Sequence, residues 1–309
     1  MPITHPTPHL DKLNAALSNE KLPDHERPSL EKALEAYRQW IALMVKIRPV
    51  DEGQKIEQVV SNLVETLNKY KLYIDLQVVF DSPGDFLYRQ KGQLKLDNTI
   101  IEEFLPHLIY KTIPELRDGY EIGPKSCFSA IYFESGVGRI LLGGGPQIRK
   151  KDQDFAISRQ LFIKTSHDQN FEKAVERNTY LGYIVAECKT NLDKTMFQES
   201  TATAHDVKAS VPGCRYYLLC EWLDMTPVST ASTDIDEVII LRKAKRVSSH
   251  IRKNFSTVAG RTQYRAKFEQ FLQDNPFDAQ VILRFVNHII STLQNQNPLE
   301  GDVLETGYF

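Results

Sequence analysis

The run Tyr183-Ile184-Val185-Ala186 leads directly into Glu187-Cys188-Lys189, and this stretch limits the fold more than any other. Four apolar residues bounded by polar ones predict a buried strand. Side chains on a strand alternate between faces, so Glu187 and Lys189 share one face while Ala186 and Cys188 share the other. An acid and an amine at the end of a buried strand are costly to desolvate and are seldom kept there without a task. Upstream, Asp152 and Asp154 stand on one face at the head of a second strand-like run, Phe155 to Lys164. Carboxylates and a lysine on two neighbouring strands would make a divalent-metal site with a cationic neighbour.

With 309 residues, 41% of them hydrophobic, the chain can bury one large core or two smaller ones. The longest apolar run in the first helices, Ile41 to Val45, is far too short to span a membrane. The opening MPITHPTPHLDKL lacks the charged start and apolar centre of a signal peptide, so a cytoplasmic protein with no membrane partner is expected. Cys127, Cys188, Cys214 and Cys220 show no CxxC spacing, which argues for reduced thiols rather than a disulfide frame or a zinc site. A formal net charge of −2 conceals an asymmetry. Between Val238 and Phe268 stand nine cations (Arg242, Lys243, Lys245, Arg246, Arg252, Lys253, Arg261, Arg265, Lys267) and no acid, so the remainder of the chain carries −11. Such a segment can present a basic face to a polyanion from an otherwise acidic protein. A solvated helix face is the simpler alternative.

Along the chain, periodicity predicts a loose arm with a short helix over Leu10–Leu17, a helix from Ser29, and a second from Asp51 to about Tyr70. Their apolar stripes are packing surfaces. Alternation around Lys91-Gly92 predicts a hairpin over Phe86–Leu96, and Asp97-Asn98 can cap a helix from Thr99 to about Tyr110. On that helix Glu102 and Glu103 read as surface charges, although either could point toward a metal site. Cys127–Phe133 and Arg139–Leu142 are expected to pair across a turn at Ser135-Gly136-Val137-Gly138. Gly143-Gly144-Gly145 lacks the Gly-Lys-Ser/Thr of a phosphate loop and reads as a bend or bulge. Thr165–Thr179 should be a loop with a short helix over Phe171–Arg177. After the Glu187 strand, Asn191 or Asp193 caps a helix through Lys208; strands follow at Arg215–Trp222 and Glu237–Leu241, then helices from Gln263 and Asp278.

One E-x-K triplet in a chain of this size is weak by itself, and Glu187 with Lys189 could form a structural ion pair, with Asp152 and Asp154 on a solvated loop. The position at a strand end, the earlier acidic pair and the helix that follows raise its value. For phosphodiester hydrolysis, Asp154 and Glu187 would hold Mg²⁺ with the backbone carbonyl of Cys188 as a further ligand, polarising the phosphate and acidifying a water. Lys189 would orient that water and offset transition-state charge, or lose its proton beside the cation and act as a base. Asp152 is the alternative acid, and Gln198, ahead of Glu199, is the residue of the following helix that could touch the site. No Gly-x-Ser-x-Gly elbow occurs, and the eight histidines show no metal-ligand spacing.

Asp154 followed by Glu187-Cys188-Lys189 after an apolar strand resembles the signature of the PD-(D/E)XK nucleases. Within that group, KDQDFAISR and VAECKTNLDKTMFQE are similar to the Bpu10I family of type II restriction endonucleases, over roughly Gly143 to Glu221. Gln153 stands where proline is common, and Glu187 comes 33 positions after Asp154. The resemblance implies an α+β fold with an α/β-type core, a mixed sheet flanked by helices behind a helical amino-terminal region. The expected organisation is a helical region over 1–80, a nuclease core over 81–245, and a basic helical region over 246–309 in the same globule. It also implies Mg²⁺-dependent cleavage of double-stranded DNA at a specific site to leave 5′-phosphates. The implied partners are a second copy or a second nuclease subunit, and a cognate DNA methyltransferase in a bacterial cell. Arg242, Lys243, Lys245, Arg246, Arg252, Lys253, Arg261 and Arg265 are the expected DNA contacts. A structure-specific repair nuclease, or a DNA-binding partner subunit that does not cut, are the competing readings.

Overall fold

Five strands lie side by side in sequence order: β1 (Glu121–Phe133), β2 (Pro146–Thr165), β3 (Val175–Leu192), β4 (Arg215–Leu223) and β5 (Glu237–Ile240). The computed structural model describes residues 6–136 and 140–294, with single positions 301, 304, 305 and 307 beyond them. β1, β2 and β3 pair antiparallel, whereas β3, β4 and β5 run parallel. A parallel neighbour requires a crossover, and helix α6 (Lys194–Ser210) supplies it between β3 and β4. Asp193 caps α6 by accepting the Met196 N–H at 2.9 Å, one of the two expected caps.

The two faces of β3 have different surroundings. Ile184, Ala186 and Cys188 join a large core beneath helices, while Val185 packs toward Ala204 and Val207 of α6. The helical layer consists of α1 (Pro8–Leu17), α2 (Arg27–Lys46), α3 (Ile56–Leu72), α4 (Phe86–Leu94) and α5 (Thr99–Thr112). Three later helices, α7 (Ser249–Arg252), α8 (Val258–Asp274) and α9 (Ala279–Gln294), complete it. Leu63, Leu108 and Phe285, from α3, α5 and α9, all enter the core that includes Phe155 and Tyr217 of the sheet. The result is a mixed α+β fold, as the resemblance implied. None of the described helices is long and apolar enough to cross a membrane.

Several local expectations change. Residues 86–94 form α4 and no hairpin: Leu87 and Leu94, two helical turns apart, pack on neighbouring helices, a fit that strand alternation would not give. No helix forms over 171–177, because β2 and β3 continue outward and pair as far as Thr165 with Val175. β1 pairs with β2 from Phe133–Pro146 inward, so Leu142 lies in a tight turn, not a strand. Val137, Gly138 and Arg139 of the expected turn lie outside the described residues. The three glycines after Leu142 all adopt positive φ, consistent with a bend between strands. α3 begins at Ile56, not Asp51, and continues into a π-helical segment, Tyr73–Phe80. Glu102 and Glu103 are buried rather than surface charges.

α8 begins at Val258, earlier than expected, with Thr257 as its cap, accepting the Gly260 N–H at 3.2 Å. A Cβ at Gly260 would stand 1.7 Å from the Asn254 carbonyl oxygen. That overlap involves backbone, so the chain must move to relieve it. Gly260→Ala should cost about 1–3 kcal/mol, read as a lower urea midpoint, despite the better helix propensity of alanine. An unchanged midpoint would show that this turn yields freely.

Candidate active site

The β2–β3 ladder ends its inward run at Phe155 opposite Ala186, and the site is built at that end. The Cys188 N–H donates to Asp154 Oδ2 at 2.8 Å, tying the acid of β2 to the strand that carries Glu187 and Lys189. Lys189 Nζ lies 2.6 Å from Glu187 Oε1, and the Tyr216 hydroxyl donates to Glu187 Oε2 at 3.1 Å from the neighbouring strand β4. These groups are partly exposed: Glu187 keeps 20% and Lys189 25% of its side-chain surface. Burial depresses the Lys189 pKa, but the hydrogen bond and charge of Glu187 outweigh it, so Lys189 stays above its ordinary range as a cation.

A second arm reaches in from α5. Asn98 Nδ2 donates to the Cys188 carbonyl at 3.0 Å and to Glu102 Oε1 at 3.1 Å, while its Oδ1 is buried without a partner. Burial raises the Glu102 carboxyl to about 7, and the nearby Asp154 charge adds to the effect. Asp154 itself is raised by burial, partly offset by the Cys188 N–H, with the Glu187 charge adding further. Asp154, Glu187 and the Cys188 carbonyl are the oxygen ligands that a hard divalent ion prefers, and the repulsion felt by Asp154 is what a cation would relieve. Among the described residues no group of three or more His, Cys, Asp and Glu side chains is placed to hold a metal ion.

The other expected site residues lie apart. Asp152 is exposed, two residues outward on β2, and Gln198 is exposed on α6. The charge of Glu199, its neighbour, does act on Lys189. Tyr216 and Asn98 were not legible as site residues. Each is separated from the Glu187 triplet in sequence, and each arrives through pairing or helix packing.

The basic segment divides by burial. Arg242 and Arg261 are 5% and 2% exposed, so neither offers its guanidinium to DNA in this conformation. Arg242 pairs with Glu221 at 2.8 Å, and Arg261 donates to the carbonyls of Phe80 and Phe255 at 2.7 and 3.0 Å. Arg265 is held by Asp81 and Glu269, and Lys243 by Asp278. Arg246 and Arg252 share Asp224. Lys245 and Lys253 are exposed.

The raised Glu102 carboxyl has a thermodynamic consequence. Between its ordinary value of 4.5 and about 7, the folded state holds a proton that the unfolded state has lost. This contribution therefore weakens as pH rises through that window. In EDTA, Glu102→Gln should stabilise the protein at pH 8 by on the order of 1–2 kcal/mol and have much less effect at pH 4.5. Equal effects at both pH values would mean that Glu102 does not carry this proton.

A mixed sheet whose central strand ends in an acid and a lysine beside a second acid is a framework suited to phosphodiester hydrolysis. The sequence model of the Bpu10I restriction endonuclease family matches residues 93–309. The chain belongs to that family, and with it to the type II site-specific deoxyribonucleases. Among solved structures it is similar to a chain described as the native BbvCI A2B2 tetramer at low resolution, with a TM-score of 0.51 and 20% identity. That likeness covers 86% of this chain and 96% of the other, and concerns the fold. No curated protein matches the sequence.

Proposed function

We propose that the chain cuts double-stranded DNA as a Mg²⁺-dependent PD-(D/E)XK enzyme that leaves 5′-phosphates. The observation that carries this reading is the junction of Asp154 with the Glu187-Cys188-Lys189 strand, closed by the 2.8 Å bond from the Cys188 N–H. Asp154, Glu187 and the Cys188 carbonyl would hold the ion, which when bound supplies positive charge to the phosphate oxygens. Lys189 remains protonated beside Glu187 and stabilises the charge that gathers on phosphorus oxygens as the water attacks. Tyr216 holds the second oxygen of Glu187, and Asn98 orients the Cys188 carbonyl. Glu102 stands behind that carbonyl as a third acid.

The similar BbvCI structure is a tetramer of two kinds of subunit, which supports a reading in which this chain also works beside a second nuclease subunit or a second copy. A DNA methyltransferase of the same specificity would be needed to protect host DNA. The test is purified protein on unmethylated bacteriophage DNA with Mg²⁺, against EDTA. Discrete fragments with 5′-phosphate ends support the proposal; nicks alone indicate one half of a two-subunit enzyme; cleavage at any end or branch overturns sequence specificity.

Lys245 is exposed and Arg246, though held by Asp224, is partly so, which leaves both within reach of a phosphate. Lys245→Ala with Arg246→Ala should weaken DNA binding and flatten its salt dependence, the slope of log K against log salt falling by about 2. An unchanged slope would remove this loop from the interface.

A further inference from the structure

The turn between α4 and α5 carries a lysine where glycine would be less strained. α4 ends in two bonds, from the Lys95 N–H to the Gly92 carbonyl and from the Leu96 N–H to the Lys91 carbonyl, both at 3.3 Å. This cap puts Lys95 in the left-handed region, at φ 51° and ψ 30°. Glycine is the usual residue at such a position, and a residue with a side chain is held there at some cost. The conformation is locked from beneath. The Thr99 hydroxyl donates to the Lys95 carbonyl at 2.7 Å and lies 3.1 Å from His9 Nδ1, whose Nε2 is 2.7 Å from the Tyr70 hydroxyl. Burial pushes the His9 pKa down to about 3, so the ring is neutral, with Nδ1–H donating to Thr99 and Nε2 accepting from Tyr70. A strained backbone fixed by a buried chain of hydrogen bonds directs attention to the side chain it carries.

That side chain stands at the rim of the carboxylate site. Lys95 is exposed, and three residues further on Asn98 grips the Cys188 carbonyl. Burial raises both Asp154 and Glu102, and the Lys95 charge pulls against the rise at each of them. Lys12, half-buried on α1 and one turn after His9, pulls on Glu102 as well. Among the described residues neither ammonium has a hydrogen-bond or ion-pair partner of its own. Lys189, by contrast, is engaged by Glu187, and Arg246 and Arg252 by Asp224. Two unpaired cations beside a site that must admit a phosphodiester are placed for the phosphates next to it.

We propose that Lys95 and Lys12 hold backbone phosphates of the bound DNA, flanking the phosphodiester that enters the carboxylate site. The contact comes from the helical amino-terminal layer and is separate from the loop of Lys245 and Arg246. It fixes the position of the strand and reads no base, so its contribution is the same for every sequence. The locked turn keeps the Lys95 ammonium at the rim before DNA arrives, which lowers the entropy lost on binding. The proposal rests on the nuclease reading for its ligand, but its test requires no cleavage.

Lysine acylation of the full chain, read residue by residue by mass spectrometry, is run in EDTA with and without sheared bacteriophage DNA. DNA should slow the reaction of Lys12 and Lys95 at least about fivefold, as phosphate covers them, and leave the exposed Lys55 unchanged. In the same buffer, Lys12→Gln with Lys95→Gln should lower the slope of log K against log salt by about 2, while Lys12→Arg with Lys95→Arg keeps it. Lys95→Gly should weaken binding as much as Lys95→Gln does and yet raise the urea midpoint, because glycine relieves the left-handed strain. A lower midpoint in Lys95→Gly would make this side chain part of the fold and overturn its assignment. Lys12 and Lys95 as reactive with DNA as without it, or an unchanged salt slope in the double Gln variant, would overturn the contact. Protected lysines beside DNA that Mg²⁺ leaves uncut would support the contact and count against the nuclease reading alone. Cut DNA with both lysines unprotected would do the reverse.

Discussion

Lys189→Ala is expected to reduce DNA cleavage by about a hundred- to a thousandfold, the scale on which one well-placed charge stabiliser is lost. DNA binding should stay within a few-fold, because a single half-buried amine contributes little to a large phosphate interface. The structure explains the size of the effect. Lys189 is anchored at 2.6 Å on Glu187, so its charge is already fixed beside the acid, and no reorganisation is needed as the transition state forms. The stability change should be small, since Glu187 retains the Tyr216 hydroxyl and is partly open to water. Lys189→Arg should restore little, because a planar fork cannot occupy the position of a compact ammonium. Single-turnover cleavage beside a filter-binding isotherm separates the two quantities. Full cleavage by Lys189→Ala would remove this lysine from the chemistry.

The second large effect is on folding. Arg242→Ala should cost about 3–5 kcal/mol, the usual consequence of removing one partner from a buried ionic group. Arg242 bonds Glu221 at 2.8 Å and the Asn275 carbonyl at 2.7 Å, and its guanidinium lies 4.2 Å from the Phe277 ring and 4.7 Å from that of Trp222. Without it, Glu221 depends on Lys71 alone, 1% exposed and shared with Asp75. Lys245→Ala, three residues on but exposed, should leave stability within about 0.5 kcal/mol. Urea denaturation of the two variants makes the contrast. A stably folded Arg242→Ala protein that had lost only DNA affinity would return this arginine to the DNA surface.

Arg242 and Lys245 also show where sequence reading stops. Both belong to one acid-free run, and composition gives them the same standing. Burial separates them, and burial depends on Glu221 and Asp75, which are distant in sequence. Glu102 differs from the surface charge expected of it for the same reason. Polar residues on a helix face read as solvent-facing until another element covers them, and here α1 and the sheet do so. Residues 86–94 show the same limit, because a nine-residue stretch fits either period when only a few positions are apolar.

What the sequence by itself determined was the local order at the heart of the site. An apolar run ending in Glu187-Cys188-Lys189 must alternate, so acid and lysine share a face, and Asn191 or Asp193 had the chemistry to start the crossover helix. Those properties depend on neighbours within a few residues and on strand periodicity. The tertiary structure alone decided that Asp154, 33 residues earlier, meets the Cys188 N–H, that Asn98 grips the Cys188 carbonyl, and that Tyr216 closes on Glu187. Strand register and helix packing bring these partners together, and both are set by the burial of whole faces, which no short stretch of sequence carries.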